Sequence, residues 1–331
     1  RQVAMTGRRL TVLGATSGDT GSAAIHGCLG REGMTIFILY PDGRVAPLQE
    51  RQMACTGAAN VYAMPVPGTF DDAQRVVKEV FGDREFAETM HLSAVNSINI
   101  ARVLAQSVYY LHAWRRLPED VRESVEFVVP TGNFGNVLAG WLAQRMGMRC
   151  GGFRVATNRN DILNRFFGTG VYEESEVAAS HAPSMDIQAA SNFERYLYYL
   201  NGGDAERTLA AMRELRSSGR LDVGGAPAGT IRASRMDDET IAATIRAVKE
   251  RYGYVVDPHT ACGFGELAEG RASVVLATAS PAKFPDVVVA ACGEEPRDAT
   301  LEALKGRALE RWPVAAEAEA VKAFLRERSG R

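Results

Sequence analysis

Five short apolar runs punctuate the first 130 residues: Leu10–Ala15, Met34–Pro41, Asn60–Pro65, His91–Val95 and Glu126–Pro130. The stretches between them, Thr20–Gly30, Pro47–Gly57, Asp71–Gly82 and Ile98–Arg116, carry apolar residues at spacings of three and four. The runs read as strands and the stretches as helices, because side chains repeat every two residues on a strand and every 3.6 on a helix. On the last helix Ile100, Val103, Leu104, Val108 and Leu111 fall on one apolar stripe. A helix between successive strands returns the chain to the same sheet edge, so the pattern predicts βαβ units and a mostly parallel sheet, an α/β fold.

A further strand is expected at Cys150–Thr157, followed by a mostly helical, polar region over about 158–251 with glycine breaks at Gly202-Gly203 and Gly224-Gly225. That region reads as an insertion or subdomain. The α/β rhythm resumes with Val255–Pro258, a helix from about Thr260 to Glu269, β-rich runs at Ser273–Ala279 and Asp286–Cys292, and a closing polar helix, Val314–Arg328. The expected division is an N-terminal α/β domain over 1–95 and a larger α/β domain over 96–331 that carries the insertion. A length of 331 residues suits two such domains.

Charge narrows the partners. Lysine and arginine together number 38 against 40 acidic residues, with no block of like charge, so neither nucleic acid nor a membrane surface is indicated and small molecules are favoured. Apolar stretches such as Met34–Tyr40 and Val274–Ala279 are far shorter than the roughly 20 residues a membrane helix needs. Five cysteines, with no C-x-x-C pair, suggest no disulfide framework or zinc knuckle and fit a reducing, cytoplasmic compartment. The chain opens on Arg1 with a strand-like run close behind, from which a missing upstream segment is expected; organelle import is left open for that reason.

Three turns carry possible chemistry. Val128-Val129-Pro130-Thr131-Gly132-Asn133-Phe134-Gly135-Asn136 sets a glycine-bracketed turn between an apolar strand and a helix over about Val137–Met146. Glycines let the backbone approach an anion, and a helix N-terminus offers free amides and partial positive charge. The spacing is not that of a nucleotide-triphosphate loop and the turn has no lysine, so a single cofactor phosphate is the matching ligand. An ordinary strand-to-helix turn with asparagine caps is the alternative. Gly14-Ala15-Thr16-Ser17-Gly18-Asp19-Thr20-Gly21 repeats the geometry and could cradle a carboxylate or phosphate, or simply cap a helix. Leu276-Ala277-Thr278-Ala279-Ser280-Pro281 ends a buried run on a hydroxyl that could bond a ring nitrogen, although such residues are also common turn chemistry.

In this order and at these separations the three segments resemble the threonine synthases, pyridoxal-phosphate enzymes of the fold shared with the tryptophan synthase β-subunit (fold type II). The resemblance runs through Leu39-Tyr40-Pro41-Asp42-Gly43, Asn96-Ser97-Ile98-Asn99-Ile100-Ala101-Arg102, Ala156-Thr157-Asn158-Arg159-Asn160-Asp161, Ser191-Asn192-Phe193-Glu194-Arg195 and Asp257-Pro258-His259-Thr260-Ala261, and covers nearly the whole chain. It implies two α/β domains with the cofactor between them, the first truncated, and conversion of O-phospho-homoserine and water to threonine and phosphate by a monomer or homodimer. It assigns Gly132, Asn133, Phe134, Gly135 and Asn136 to the cofactor phosphate and Thr278 to the pyridine nitrogen. Ser17, Gly18, Asp19 and Thr20 match the loop beside the amino acid carboxylate. Asn158, Asp161, Arg165, His259 and Lys283 are further cleft candidates, with Arg159, Arg165 and Lys283 as cations for the substrate phosphate.

Two departures stand out. The family's Schiff-base lysine lies in a Phe-Lys-Asp segment upstream of the Thr-Ser-Gly-Asp loop, and these 331 residues contain no Phe-Lys-Asp. Little or no turnover is therefore expected of the chain as given, since that amine both holds the cofactor and moves protons. Ser280 also stands where many relatives carry histidine. The alternative activities are a related phospho-lyase acting on phosphothreonine or phosphoserine, and a non-catalytic relative that binds pyridoxal phosphate.

Overall fold

The computed structural model describes residues 5–329 apart from 17, 46, 96–98 and 268. The chain divides into two compact units, Arg1–Asn96 with Asp298–Arg331, and Ser97–Arg297.

In the first unit β1 (Leu10–Ala15), α1 (Asp19–Cys28), β2 (Met34–Pro41), α2 (Pro47–Ala54), β3 (Val61–Val66), α3 (Phe70–Gly82), α4 (Arg84–Thr89) and β4 (Leu92–Ala94) follow in sequence. The strands form a parallel sheet in the order β3-β2-β1-β4. Alternate residues of these apolar strands face opposite ways, so both faces need cover. Val12, Ile36, Ile38 and Tyr40 meet Ile25 of α1 and Met53 of α2 on one face. Leu13, Phe37 and Leu39 meet Ala73, Val76 and Val80 of α3 on the other, and that second cluster includes Val321 and Leu325.

Those last two residues correct the expected domain division. A single domain over 96–331 is not what forms, because the C-terminal segment returns to the first unit. Trp312, Val314 and Phe324 pack with Val321 and Leu325 on the α3 face, and the Trp312 amide bonds the Ala63 carbonyl at 2.9 Å. An apolar sheet face that α3 alone does not cover is the physical reason.

The second unit contains α5 (Ile100–Arg116), α6 (Glu119–Arg122), β5 (Glu126–Pro130), α7 (Gly135–Arg145), β6 (Gly152–Thr157), α8 (Ile162–Thr169), β7 (Val171–Glu173), α9 (Phe193–Leu200), α10 (Ala205–Ser218), β8 (Arg220–Asp222), β9 (Ile231–Arg235), α11 (Asp238–Tyr252), α12 (Pro258–Cys262), β10 (Ser273–Val275) and α13 (Pro285–Cys292). Its parallel sheet runs β10-β5-β6-β9. Phe127, Val129, Phe153 and Val155 pack toward Val103, Tyr110, Val137 and Leu138, while Val128 and Ala156 pack toward Ile241, Ile245 and Ala291.

Several expectations change here. The region 158–251 is not a purely helical insertion: β9 extends the main sheet, and β7 with β8 forms a separate antiparallel pair. The run Asp286–Cys292 is helical, since Pro285 suits a first helical turn and Val288 and Ala291, three apart, are the residues it buries. The helix expected over Thr260–Glu269 ends at Cys262, and the strand expected over Ser273–Ala279 ends at Val275. On α5 the buried face is Val103, Ser107 and Tyr110, whereas Ile100, Leu104, Val108 and Leu111 are 47%, 48%, 58% and 37% exposed. That face is chosen by α7, where Gly140 has no side chain to obstruct the Tyr110 ring.

Candidate functional site

All five residues of β5 are buried, and the chain leaves its C-terminal end through Thr131. The Thr131 amide bonds the Ala156 carbonyl at 2.9 Å and its hydroxyl the Val129 carbonyl at 2.7 Å, so the turn starts from fixed geometry. Gly132 lies against backbone: a Cβ there would stand 3.0 Å from the Ser184 carbonyl oxygen and 3.2 Å from Met185 Cα. Phe134 adopts a left-handed conformation (φ 62°) with its ring buried, a strained choice for a residue with a Cβ. It is the N-cap of α7 and its side chain caps nothing, so the first-turn amides of α7 have no intrahelical acceptor.

Neighbouring groups brace this turn. Fully buried Asn192 donates from its backbone and side-chain nitrogens to the Asn133 carbonyl at 3.2 and 3.0 Å, and Ser191 donates to Asn133 Oδ1 at 2.6 Å. The Tyr110 hydroxyl lies 2.8 Å from both the carbonyl and the Oδ1 of Asn136. A Cβ on Gly135 would meet Asn192 Nδ2 at 3.2 Å. Near the same point the side-chain oxygen of Gln106 is buried without a hydrogen-bond partner. Free amides and a cradle that side chains would fill suit an anion such as a phosphate monoester, and the orphaned Gln106 amide would join them once turned to present its nitrogen.

β10 lies beside β5, and the Leu276 amide continues the pairing to the Val128 carbonyl at 2.9 Å. Thr278 follows, its side chain exposed and its backbone amide donating to Thr260 Oγ1 at 3.2 Å. The structure thus brings Thr278 and the Gly132–Asn136 turn to the same carboxyl edge, at the ends of neighbouring parallel strands. Open parallel sheets bind ligands at such a point. Ser280 and Lys283, both half-buried, belong to the turn that follows.

β6 ends on the same edge with the remaining candidates. Asn158 is wholly buried; its Nδ2 reaches Ser180 Oγ and Asp186 Oδ1 at 2.7 Å, and its Oδ1 accepts from the Asn160 amide at 2.8 Å. Arg165 pairs with Asp161 at 3.1 Å, and the same carboxylate takes Arg235 of β9 at 3.3 Å. Arg159 pairs with Asp238 at 3.1 Å. Two guanidiniums on Asp161 leave one positive charge in excess. Arg235 escaped the sequence reading because its partner lies 74 residues away.

His259 is buried behind the edge. Its Nε2 accepts the Ser184 amide at 3.1 Å, so the neutral ring carries its proton on Nδ1, 2.9 Å from Asp257 Oδ1. A ring so enclosed touches other residues of the protein. In the first unit, Thr16 Oγ1 accepts the Gly18 and Gly21 amides at 3.0 and 2.9 Å, shaping the turn into α1. A Cβ on Gly18 would stand 2.7 Å from the Gln49 side chain, which bonds Asp19 Oδ1 at 3.2 Å; Thr20 is half-buried. Ser17 lies outside the described residues.

Lysine is scarce: Lys249 pairs with Glu294, Lys305 with Glu302, and Lys322 with Asp83 and Glu319, while Lys78 lies exposed on α3. Among the described residues no cluster of histidine, cysteine and carboxylates could hold a metal ion, and no helix is long and apolar enough to cross a membrane.

Comparison with known proteins agrees with this geometry. Residues 2–234 match the family described as pyridoxal-phosphate dependent enzyme, and residues 260–325 match the threonine synthase C-terminal family. Threonine synthase of Eremothecium gossypii is 44% identical over 305 residues, covering 84% of this chain and 60% of that one. That of Methylobacillus glycogenes is 40% identical and covers 98% and 71%. A crystal structure of pyridoxal-phosphate-bound threonine synthase from Brucella melitensis superposes with a TM-score of 0.93 at 45% identity, covering 99% of this chain and 72% of that one. The yeast enzyme gives 0.90 at 37% identity, with 98% and 70% covered. The chain spans about 60% of the length of the first curated relatives it matches. With family matches over both units and the phosphate-type turn and Thr278 on one sheet edge, the chain belongs to the threonine synthase family of pyridoxal-phosphate-dependent enzymes.

Proposed function

We propose that this chain carries the cofactor-phosphate and ring-nitrogen contacts of an enzyme that converts O-phospho-homoserine and water to threonine and inorganic phosphate. The observation that carries the reading is the uncapped start of α7, reached through the braced Gly132–Asn136 turn, with Thr278 at the end of the adjacent strand. In this reading the amides of Gly132, Asn133, Phe134, Gly135 and Asn136 hold the phosphate of pyridoxal phosphate. Gln106 is placed to turn its amide nitrogen toward the same oxygens.

When bound, pyridoxal phosphate supplies an electron-withdrawing ring that stabilises negative charge on the substrate carbon beside the amino group. The Thr278 hydroxyl donates to, or accepts from, the ring nitrogen without carrying a charge, so it does not hold that nitrogen protonated as a carboxylate would. Arg165 and Arg235, which share one carboxylate, provide excess positive charge for a phosphorylated substrate, with Arg159 and Lys283 as further cations. Gly18 caps α1 and Asp19 and Thr20 open it, and the amides there suit the substrate carboxylate, with Ser17 assigned to the same loop by the resemblance alone. Asn158 and Asp161 act on the loop and the arginines: both side-chain polar atoms of Asn158 are committed within the protein.

A cytoplasmic enzyme acting as a monomer or homodimer completes the reading, with five free cysteines supporting the reducing compartment. The test is to mix the purified protein with pyridoxal phosphate and O-phospho-homoserine and to measure threonine, phosphate and 2-oxoacids. With no Phe-Lys-Asp, the 331 residues alone are expected to bind cofactor and turn over little; a form carrying that segment is expected to release threonine and phosphate in equal amounts. Release of 2-oxobutanoate or pyruvate without threonine from phosphothreonine or phosphoserine would replace the synthase reading with a phospho-lyase. Absence of cofactor binding would remove both.

A further inference from the structure

One buried carboxylate lies behind both halves of the proposed cofactor site. Asp257 is 1% exposed and precedes the short helix α12. Its Oδ1 accepts the His259 amide and His259 Nδ1, each at 2.9 Å, and its Oδ2 accepts the Thr260 hydroxyl. Each arm then reaches one step further. The far side of the His259 ring, Nε2, takes the Ser184 amide at 3.1 Å, and the Ser184 carbonyl is the backbone against which Gly132 packs. Thr260 Oγ1, having given its proton to Asp257, has lone pairs left and takes the Thr278 amide at 3.2 Å.

We infer that Asp257 is a positioning residue that sets the separation between the phosphate turn and Thr278, through His259 and Ser184 on one side and Thr260 on the other. The inference rests on the cofactor assignment above. Pyridoxal phosphate has a rigid ring that holds its nitrogen and the carbon bearing the phosphate arm at a fixed separation, so a site that grips both must fix their spacing. The direct pairing of β5 with β10 ends at Val128 and Leu276; beyond it the turn is held by β6 and Asn192, and Thr278 by Thr260, so no strand pairing links the two segments where the cofactor would lie. A buried carboxylate using both oxygens is a stiff link, because breaking any of its bonds leaves a charged acceptor unsatisfied away from water. The two arms act on different ends of the cofactor, which makes them separable by experiment.

Thr260→Val keeps the shape of the side chain and removes only the arm to Thr278. Titrating the 331-residue protein with pyridoxal phosphate, the absorption band of the bound ring is expected to shift and affinity to fall about tenfold, the equivalent of one lost hydrogen bond. The ³¹P resonance of the bound phosphate is expected to stay where it is. Thr260→Ser restores the hydroxyl and is expected to restore the band and the affinity. His259→Phe removes the other arm and is expected to move the ³¹P resonance while leaving the band close to that of the parent. Circular dichroism of each variant checks folding, and the serine variant keeps the test decisive if the valine variant misfolds, since it must then behave as the parent. Unchanged band and affinity in folded Thr260→Val overturn the inference while leaving the cofactor assignment intact. Failure of the parent itself to bind pyridoxal phosphate overturns both.

Discussion

A single Cβ added at Gly135, in the first turn of α7, would stand 3.2 Å from Asn192 Nδ2. Gly135→Leu is therefore expected to abolish retention of pyridoxal phosphate while leaving the fold in place; equilibrium dialysis against the cofactor reads it, and undiminished binding would reduce the turn to a helix cap. Cys262 gives a second residue-level expectation. Burial, reinforced by the nearby negative charge of Asp257, pushes its thiol up to about 12. The fold thus favours the neutral thiol, a contribution fully present below the ordinary value of about 9 and lost as pH rises from there toward 12. Alkylation of Cys262 in the native protein at pH 8 is expected to be far slower than in denaturant, as peptide mass analysis would show. The Gly-Asn-Phe-Gly turn and the Thr-Ala-Ser-Pro turn were legible because each is written in consecutive residues between recognisable elements. Tyr110, Asn192 and Arg235 act on partners 26, 59 and 74 residues distant, and no local pattern encodes those meetings.

Among the elements, legibility followed how much each segment carries its own signal. β1, β2 and β5 begin and end where short, largely apolar runs meet proline, glycine or polar turns. The stretch 287–292 is apolar throughout, a pattern that fits a buried strand and a buried helix equally; Pro285 and the packing of Ala291 with α11 decide for the helix. On α5 the apolar stripe has the spacing of a single helix face, yet the face that is buried is Val103, Ser107 and Tyr110. Which face docks depends on α7, where a Cβ at Gly140 would overlap the Tyr110 ring and stand 2.7 Å from that of Phe153. Gly140→Val is accordingly expected to cost about 3 kcal/mol, read from native-state hydrogen exchange of α5 and α7 peptides, because neither ring can yield in a close-packed core. A loss below about 0.5 kcal/mol would show that α5 and α7 pack with room to spare.

At the scale of the molecule, the return of the C-terminal segment to the first unit is what the sequence concealed. Val314–Arg328 has an ordinary polar helix pattern that names no partner, and its placement follows from the apolar face of β1, β2 and β3 and from two polar ties. Arg311 Nε pairs with Glu50 at 3.0 Å, and Lys322 bonds Asp83 at 2.8 Å. Lys322, with help from the Phe86 amide, holds the Asp83 carboxyl below its usual range, so this tie is present above the ordinary carboxylate value and lost as pH falls through the lowered one. The apolar part is the stronger: Leu325 is completely buried, and its truncation to alanine leaves a cavity costing about 2–5 kcal/mol. Two compact units make one global unfolding energy ill-defined, so the measurement has to be local. Hydrogen exchange read peptide by peptide is expected to show Leu325→Ala raising exchange in β1, β2, β3 and α3, the elements whose cluster Leu325 completes. Exchange in those peptides indistinguishable from the parent would mean that the sheet face is covered without the C-terminal helix, and that residues 298–331 add a contact and not a part of the core.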